Sequence, residues 1–389
     1  MGVIEILLWG VLATILYTYV GFPLLIVLRG MLRRRPIAAQ PITPTVSLIV
    51  AAHNEADSIE DKLQNILELD YPSDQLQVLV ASDGSSDRTN EIVSGYEPQG
   101  IELLNLPRMG KASALNAAVE RADGEILVFS DANSMYAADA IAQLVAPFAD
   151  STVGGVAGDQ RYRGSQGEGD SDEGERSYWN FDRLMKRWQS QAGHVISATG
   201  AIYAIRRSLF QTVPDGVTDD FVTSTRIILQ GYRLVFGEQA AAYESAASSS
   251  GVEFGRKVRV MTRGLRGVLM VRGLLNPFRF GFYSVQLFSH KVLRRLMVLP
   301  LLALYVLSGL LAFESIGYAV WFGLQTCFYL TAVLGLLNRG NRFGRIKLVA
   351  LPAYFCMVNA AALVALFNTL RGRRIDRWEP QRPVETATA

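Results

Sequence analysis

Four long stretches without a charged side chain decide what this chain can become. The first, Ile6 to Leu28, runs for 23 residues, enough for a helix to cross a hydrocarbon layer about 30 Å thick. Three more follow late, at Leu296 to Phe313, Ile316 to Leu337 and Leu348 to Leu370. The earliest of these has 18 residues, the minimum for a span; the other two have 22 and 23. The N-terminal run differs from a secretion signal. Glu5 stands where a basic leader would be, the run exceeds an h-region, and no small-residue cleavage site closes it. It reads as a retained anchor.

Charge divides the chain the same way. The net charge is only +2, yet residues 36–253 hold 15 Lys and Arg against 31 Asp and Glu, and the remainder holds 23 against 5. Phe254 to Phe313 carries ten basic residues and no acid. Cations beside membrane spans mark cytoplasmic flanks that meet anionic lipid. The acidic centre reads as a soluble body, and no nucleic-acid partner is expected, because such a binder places its cations on the soluble domain. Both cysteines, Cys327 and Cys356, lie in apolar runs, which excludes a disulfide scaffold.

Arg29, Arg33, Arg34 and Arg35 follow the first span and place its end on the cytosolic side. Beyond a Pro-rich linker, strand and helix patterns alternate. Val46 to Ala51, Leu76 to Ala81, Ile101 to Leu106 and Glu125 to Ser130 read as strands, and Ser58 to Leu69, Ser86 to Ser94 and Lys111 to Ala122 as helices. This predicts an α/β domain with a mostly parallel sheet and ligands at the carboxyl ends of its strands. Gly164 to Ser177, Gly-rich and acidic, reads as a surface loop. Phe278 to Lys291 mixes aromatic and basic residues and reads as a helix lying in the membrane interface.

The strand ends carry the chemistry. The first ends AAHNEADS with Glu55, and the next ends ASDGSSDRT with Asp83 before a glycine turn. Asp83 alone would serve equally as a turn or cap residue. Lys111 opens a helix, opposing its dipole unless an anion is near. The strand ending FSDANS puts Asp131 and Asn133 one residue apart, oxygen donors suited to Mg²⁺ or Mn²⁺ completed by phosphate and water.

This order of motifs resembles the membrane-bound family 2 glycosyltransferases of the GT-A fold, of the type found in exopolysaccharide or cell-surface glycan synthesis. The resemblance covers about residues 46–270. It implies that Ala51 and Glu55 in VSLIVAAHNE, Asp83, and Lys111 of GKASALN hold a UDP-sugar, and that Asp131 and Asn133 hold the metal; Asn133 stands where Asp is commoner. It further places Thr199 and Gly200 (ATGAIYAIRRSLF) beside the acceptor, and Asp219 and Asp220 of TDDF as the catalytic carboxylates, with Asp220 the base. The pair could equally cap the following helix. Of the family's Gln-x-x-Arg-Trp signature only Arg259 is kept, with Arg256 and Val260 in the flanking places. Arg256, Arg259, Arg263 and Arg266 fall on one helical face, where they could grip phosphate or face lipid headgroups.

The expected organisation is an anchor with a basic flank (1–35), a cytosolic GT-A domain (36–273), an interfacial segment (274–295), membrane segments (296–370) and a polar tail (371–389). The expected protein is multi-pass in the plasma membrane, a bacterial inner membrane. Its function would be inverting, metal-dependent transfer from a UDP-sugar to a glycan or lipid-linked acceptor, among membrane lipid and other glycan-assembly proteins. A processive polysaccharide synthase is the nearest alternative, and an inactive nucleotide-binding regulator the more distant one. The retained Asp131, Asp219 and Asp220 oppose the latter. A transporter would place ionisable groups in its spans.

Overall fold

The computed structural model describes residues 2–163, 171–245, 250–338 and 341–373, so part of the acidic stretch and the tail from 374 lie outside it. Helix α1 (Val3–Leu32) is 30 residues long. A single wide turn of π-helix, Tyr17–Gly21, interrupts it. Pro23 has no N–H to give to the preceding turn, and the wide turn just ahead of it absorbs that defect.

The α/β body then alternates in the anticipated order: β1 (Val46–Ala52), α2 (Ile59–Leu67), β2 (Leu76–Asp83), α3 (Thr89–Ser94), β3 (Ile101–Leu106), α4 (Lys111–Arg121) and β4 (Ile126–Asp131). The pattern next becomes irregular, with β5 (Met135–Tyr136), α5 (Ala140–Val145), β6 (Val153–Arg163), α6 (Ser171–Gln191), β7 (Tyr203–Arg206), α7 (Asp219–Leu229), β8 (Arg233–Ser245) and α8 (Ser250–Met270). One eight-stranded sheet results, in the order β3-β2-β1-β4-β7-β6-β8-β5. β1, β2, β3 and β4 run parallel, whereas β7 is antiparallel to both of its neighbours.

Alternate residues of β1 feed two cores. Leu48 and Val50 join one, with Val80 and Val128; Ile49 and Ala51 join the other, with Leu79 and Phe129. A strand covered on both faces reads as an unbroken apolar run, which is why these strands were visible in the sequence. The chain leaves β1 for β2 on one side and returns as β4 on the other. The strand order therefore reverses at β1, and a crevice opens at the carboxyl ends of β1, β2 and β4.

Two expectations need correction. Ser171 to Ser177 belongs to helix α6 rather than to a loop. Asp172, Glu173 and Glu175 favour a helix N-terminus, and the far end of α6 is fixed by packing: Met185 is buried with Phe22 and Ile26 of α1. Trp188 lies so close to Gly30 that a Cβ there would approach it to 2.8 Å. The run Leu296 to Phe313 is also not one straight span. Helices α9 (Phe282–Leu296) and α10 (Val298–Leu311) meet at a 53° bend, and the 14 residues of α10 reach only about 21 Å. Only together are the two helices long and apolar enough to cross a membrane.

Helices α11 (Ile316–Leu337) and α12 (Lys347–Leu370), with α1, are long and apolar enough to cross a membrane individually. Leu8 of α1 packs against Leu304 and Leu311, and the Tyr318 hydroxyl donates to Glu5 Oε1 at 3.2 Å. The start of α1 and the α10–α11 turn thus share one end of the bundle. At the other, Lys257 of α8 donates to the Tyr354 hydroxyl of α12 at 3.0 Å, joining the body to the last membrane helix.

Candidate active site

The crevice is built around Lys111. Its Nζ lies 2.5 Å from Asp131 Oδ1 and 3.4 Å from Asp219 Oδ2, so one ammonium joins the end of β4 to the start of α7. Gly110, at φ 103°, makes the sharp turn that admits Lys111 to the crevice. Burial alone would lower the Lys111 ammonium, but Asp131, Asp219 and Asp220 overcome it and hold the group protonated well above the ordinary lysine range.

Asp83 is 2% exposed. Its Oδ1 accepts from the backbone N–H groups of Met109 and Gly110 at 2.7 and 2.8 Å, and its Oδ2 takes Arg108 Nη1 at 2.6 Å. Asp83 thereby fixes the loop that delivers Lys111. A carboxylate offers about four acceptor positions, leaving room for one further donor. Ala51 pairs in register with Ala81 and Asp131, so the end of β1 lies level with the ends of β2 and β4. Glu55 is buried; it accepts from Ser58 Oγ at 2.8 Å, and its N–H donates to Thr89 Oγ1 at 2.8 Å. These contacts shape the entry to α2.

β4 ends at Asp131, so a turn rather than strand alternation carries Asn133, which is exposed. Ala132 between them is buried, which leaves Asp131 and Asn133 on the open side. Gly200 abuts the carboxylate: a Cβ there would lie 2.8 Å from Asp131 Oδ2. Among the described residues, no group of three or more His, Cys, Asp or Glu could hold a metal by itself. One carboxylate with one amide oxygen, kept clear by a glycine, instead suits an ion that arrives with phosphate and water.

Asp219 and Asp220 occupy the first turn of α7 behind Thr218. Their surroundings separate them. Asp219 is buried against Lys111, while Asp220, half-buried at the crevice wall, accepts the Phe221 N–H at 2.7 Å. Burial first, then the neighbouring Asp219, push the Asp220 carboxyl up to about 6, against the pull of Lys111. The hydroxyls of Thr199 and Thr218 are buried without a hydrogen-bond partner among the described residues. The predicted residues Ala51, Asp83, Lys111, Asp131, Gly200, Asp219 and Asp220 therefore converge. Arg259 lies on α8, half-buried; Arg263, one turn on, reaches the segment before α7, donating to the Val217 carbonyl at 2.9 Å.

Sequence reading missed Arg108 and Lys62. Lys62 is 0% exposed. Its ammonium donates to the Ser134 carbonyl and sits 3.8 Å from the centre of the Tyr136 ring. Burial lowers it to about 7, although Asp131 and Glu244 oppose the shift. Lys62 braces the turn after Asp131 from behind. A lysine inside the first-turn pattern of α2 was the only local sign, and it looks like a solvated residue until β5 and β8 are placed around it.

An eight-stranded, mostly parallel sheet with an open crevice at its strand ends, lined by carboxylates and one buried lysine, is a GT-A-type fold. Residues 47–213 match the family described as Glycosyl transferase family 2, and the chain carries a domain of that family. The poly-beta-1,6-N-acetyl-D-glucosamine synthase of Staphylococcus aureus (strain MSSA476) is 27% identical over 242 residues, covering 60% of this chain and 57% of that protein. The synthase of the same name from Staphylococcus epidermidis (strain ATCC 35984) is 26% identical over 224 residues, covering 55% and 53%. The chain thus spans little more than half the length of either synthase. Among solved structures, mannosyltransferase PcManGT from Pyrobaculum calidifontis, in complex with GDP-Man and Mn²⁺, superposes with a TM-score of 0.71 at 25% identity, over 95% of this chain and 100% of that one. That likeness extends beyond the α/β body into the long apolar helices.

Proposed function

We propose that the chain is an inverting, metal-dependent glycosyltransferase that moves a sugar from a UDP-sugar to a cell-surface glycan or lipid-linked acceptor at the cytosolic face of the plasma membrane. The observation that carries this reading is the joining of Asp131 and Asp219 by Lys111, with Asp220 beside them at a raised pKa. Asp83 and the end of β1 at Ala51 would seat the nucleotide, and Lys111 the diphosphate. Asp131 and Asn133 would hold Mg²⁺ or Mn²⁺, and Mn²⁺ accompanies the nucleotide sugar in the mannosyltransferase. When bound, the ion would offset the charge of the leaving diphosphate. Asp220 takes the acceptor hydroxyl proton as that oxygen attacks the anomeric carbon, and a carboxyl near 6 is well matched to this work at neutral pH. Asp219, tied to Lys111, keeps the lysine aimed at the donor.

Residues 36–273 form the cytosolic body in this reading, with 1–35 and 296–370 in or beside the membrane. We further infer that the enzyme adds one or a few sugars per encounter. Val260 is exposed where processive relatives offer a Trp face on which the acceptor sugar rests. The names of the staphylococcal synthases favour the second reading, processive polymer synthesis. Purified membranes incubated with a panel of UDP-sugars, and GDP-mannose alongside, test both readings through nucleotide release and product mass. Release of UDP with one donor and a short product is expected. Transfer from GDP-mannose alone would overturn the donor assignment, and long chains beside untouched acceptor would establish the second reading.

A further inference from the structure

The turn that follows β4 is clamped from behind by side chains that the proposed chemistry does not use. Lys62 and Asn65 stand three residues apart on one face of α2, and both reach it. The Lys62 ammonium donates to the Ser134 carbonyl. Asn65 brackets Tyr136: its Nδ2 donates to the Tyr136 carbonyl at 2.9 Å, and its Oδ1 accepts the Tyr136 N–H at 2.6 Å. From β8, Glu244 Oε1 accepts the Ser134 hydroxyl, and Oε2 accepts from Gln160 Nε2 of β6 at 2.7 Å. The closing bond of the turn itself, from the Ser134 N–H to the Asp131 carbonyl, is long at 3.3 Å. The clamp therefore sets its shape, and Asn133 lies between Asp131 and the clamped serine.

A lysine is a costly way to fill space in a core. Lys62 is 0% exposed, and its ammonium gives up a hydration that an apolar side chain never had. Ile59, Leu63 and Ile66 already supply the apolar contacts of α2, and a methionine of nearly equal length would pack without that cost. What the ammonium adds is a charge-assisted hydrogen bond to one chosen carbonyl, one residue beyond Asn133. Asn133 has special need of it. Its amide oxygen is uncharged, and ion–dipole attraction falls faster with distance than the attraction between an ion and a carboxylate. A neutral ligand gains most from being held in place by the groups behind it.

We propose that Lys62 and Glu244 are positioning residues for the divalent cation, fixing this turn so that Asp131 and Asn133 meet one ion. The inference rests on the reading that those two residues hold the metal, and it adds the pair that lets an amide serve as a ligand there. Both act through Ser134, Lys62 on its carbonyl and Glu244 on its hydroxyl.

The test measures Mn²⁺ binding by electron paramagnetic resonance on the full chain in nanodiscs, with UDP present and no sugar or acceptor, so turnover plays no part. Lys62→Met should weaken Mn²⁺ binding by about tenfold or more, the usual scale for losing a group that orients a metal ligand. Binding of UDP without metal should stay within about twofold, because the lysine acts on the ion's ligands alone. Adding Asn133→Ala to Lys62→Met should cost little more, since the two changes remove one interaction. Before any metal is added, amide exchange of residues 132–136 should quicken in Lys62→Met. Ser134→Ala cuts the Glu244 side of the clamp and leaves the buried lysine in place, so it decides the matter where Lys62→Met does not fold. Unchanged Mn²⁺ affinity in either folded variant, while Asp131→Ala has lost it, would overturn this inference alone. Full additivity of Lys62→Met with Asn133→Ala would overturn it as well. No Mn²⁺ binding in the unaltered chain would overturn the metal assignment, and the inference with it.

Discussion

The half of the crevice proposed to hold the donor and the half proposed to face the acceptor are finished to different degrees. On the donor side every charged group has a protein partner: Asp83 has three donors, Asp131 has Lys111, and the loop between them is fixed by these bonds. On the acceptor side Asp220 accepts its own neighbour's N–H, and the Thr199 and Thr218 hydroxyls are buried without partners among the described residues. Buried polar groups are normally paired. A pre-tied half holds its shape before a ligand arrives; a half with unmet donors and a raised carboxyl is completed by one. In the proposed function the first half would set what is activated, and the second what receives it.

The sharpest way to break this contrast is to remove the donor-side carboxylate. Asp131→Ala should take transfer below detection, and chelation should do so reversibly in the unaltered enzyme. Full turnover in excess chelator would contradict the metal assignment. Lys111→Met comes next. It leaves Asp131 and Asp219 facing each other uncompensated, at a cost of about 3–5 kcal/mol for breaking a buried pair, read as a fall in the unfolding midpoint together with loss of donor binding. Unchanged stability would mean that the lysine is not the link between the halves.

The pH dependence should separate the halves further. Asp220 is raised from the usual carboxylate value to about 6, so transfer should climb as pH rises through about 6, with no such step in Asp220→Asn. The same shift has a stability sign. The folded protein binds this proton more tightly than the unfolded chain, so the carboxyl's contribution favours folding at low pH and is lost as pH rises towards 6. Asp220→Asn should therefore melt higher than the parent at pH 8, with the gap closing near pH 4. The smallest effect is expected from Val260→Trp, which should lengthen products by a few sugars, read by mass spectrometry of early products.

Much of this arrangement was legible because it is local. β1, β2 and β4 are buried on both faces, so their apolar runs end abruptly where the crevice begins, and Ala51, Asp83 and Asp131 stand at those ends. Lys111 betrayed itself by opposing a helix dipole. What stayed hidden depends on distant packing. The helical state of Ser171 to Ser177 goes with docking of the far end of α6 on α1, through Met185 against Phe22 and Ile26, which the local composition does not show. The bend after Leu296 lies within an apolar run that looks uniform. The burial of Lys62 needs Ser134, Tyr136 and Glu244 brought around it, and Arg108 gained its role only once the loop closed on Asp83.

The most direct test compares Asp220→Asn with Asp219→Asn in donor binding and single-turnover transfer. If Asp220 is the base and Asp219 the partner of Lys111, Asp220→Asn leaves UDP-sugar affinity within about a few-fold but slows transfer by roughly a hundredfold or more, while Asp219→Asn weakens donor binding. The reverse pattern, with Asp219→Asn alone crippling the chemical step at full donor affinity, would contradict the assignment of the two halves.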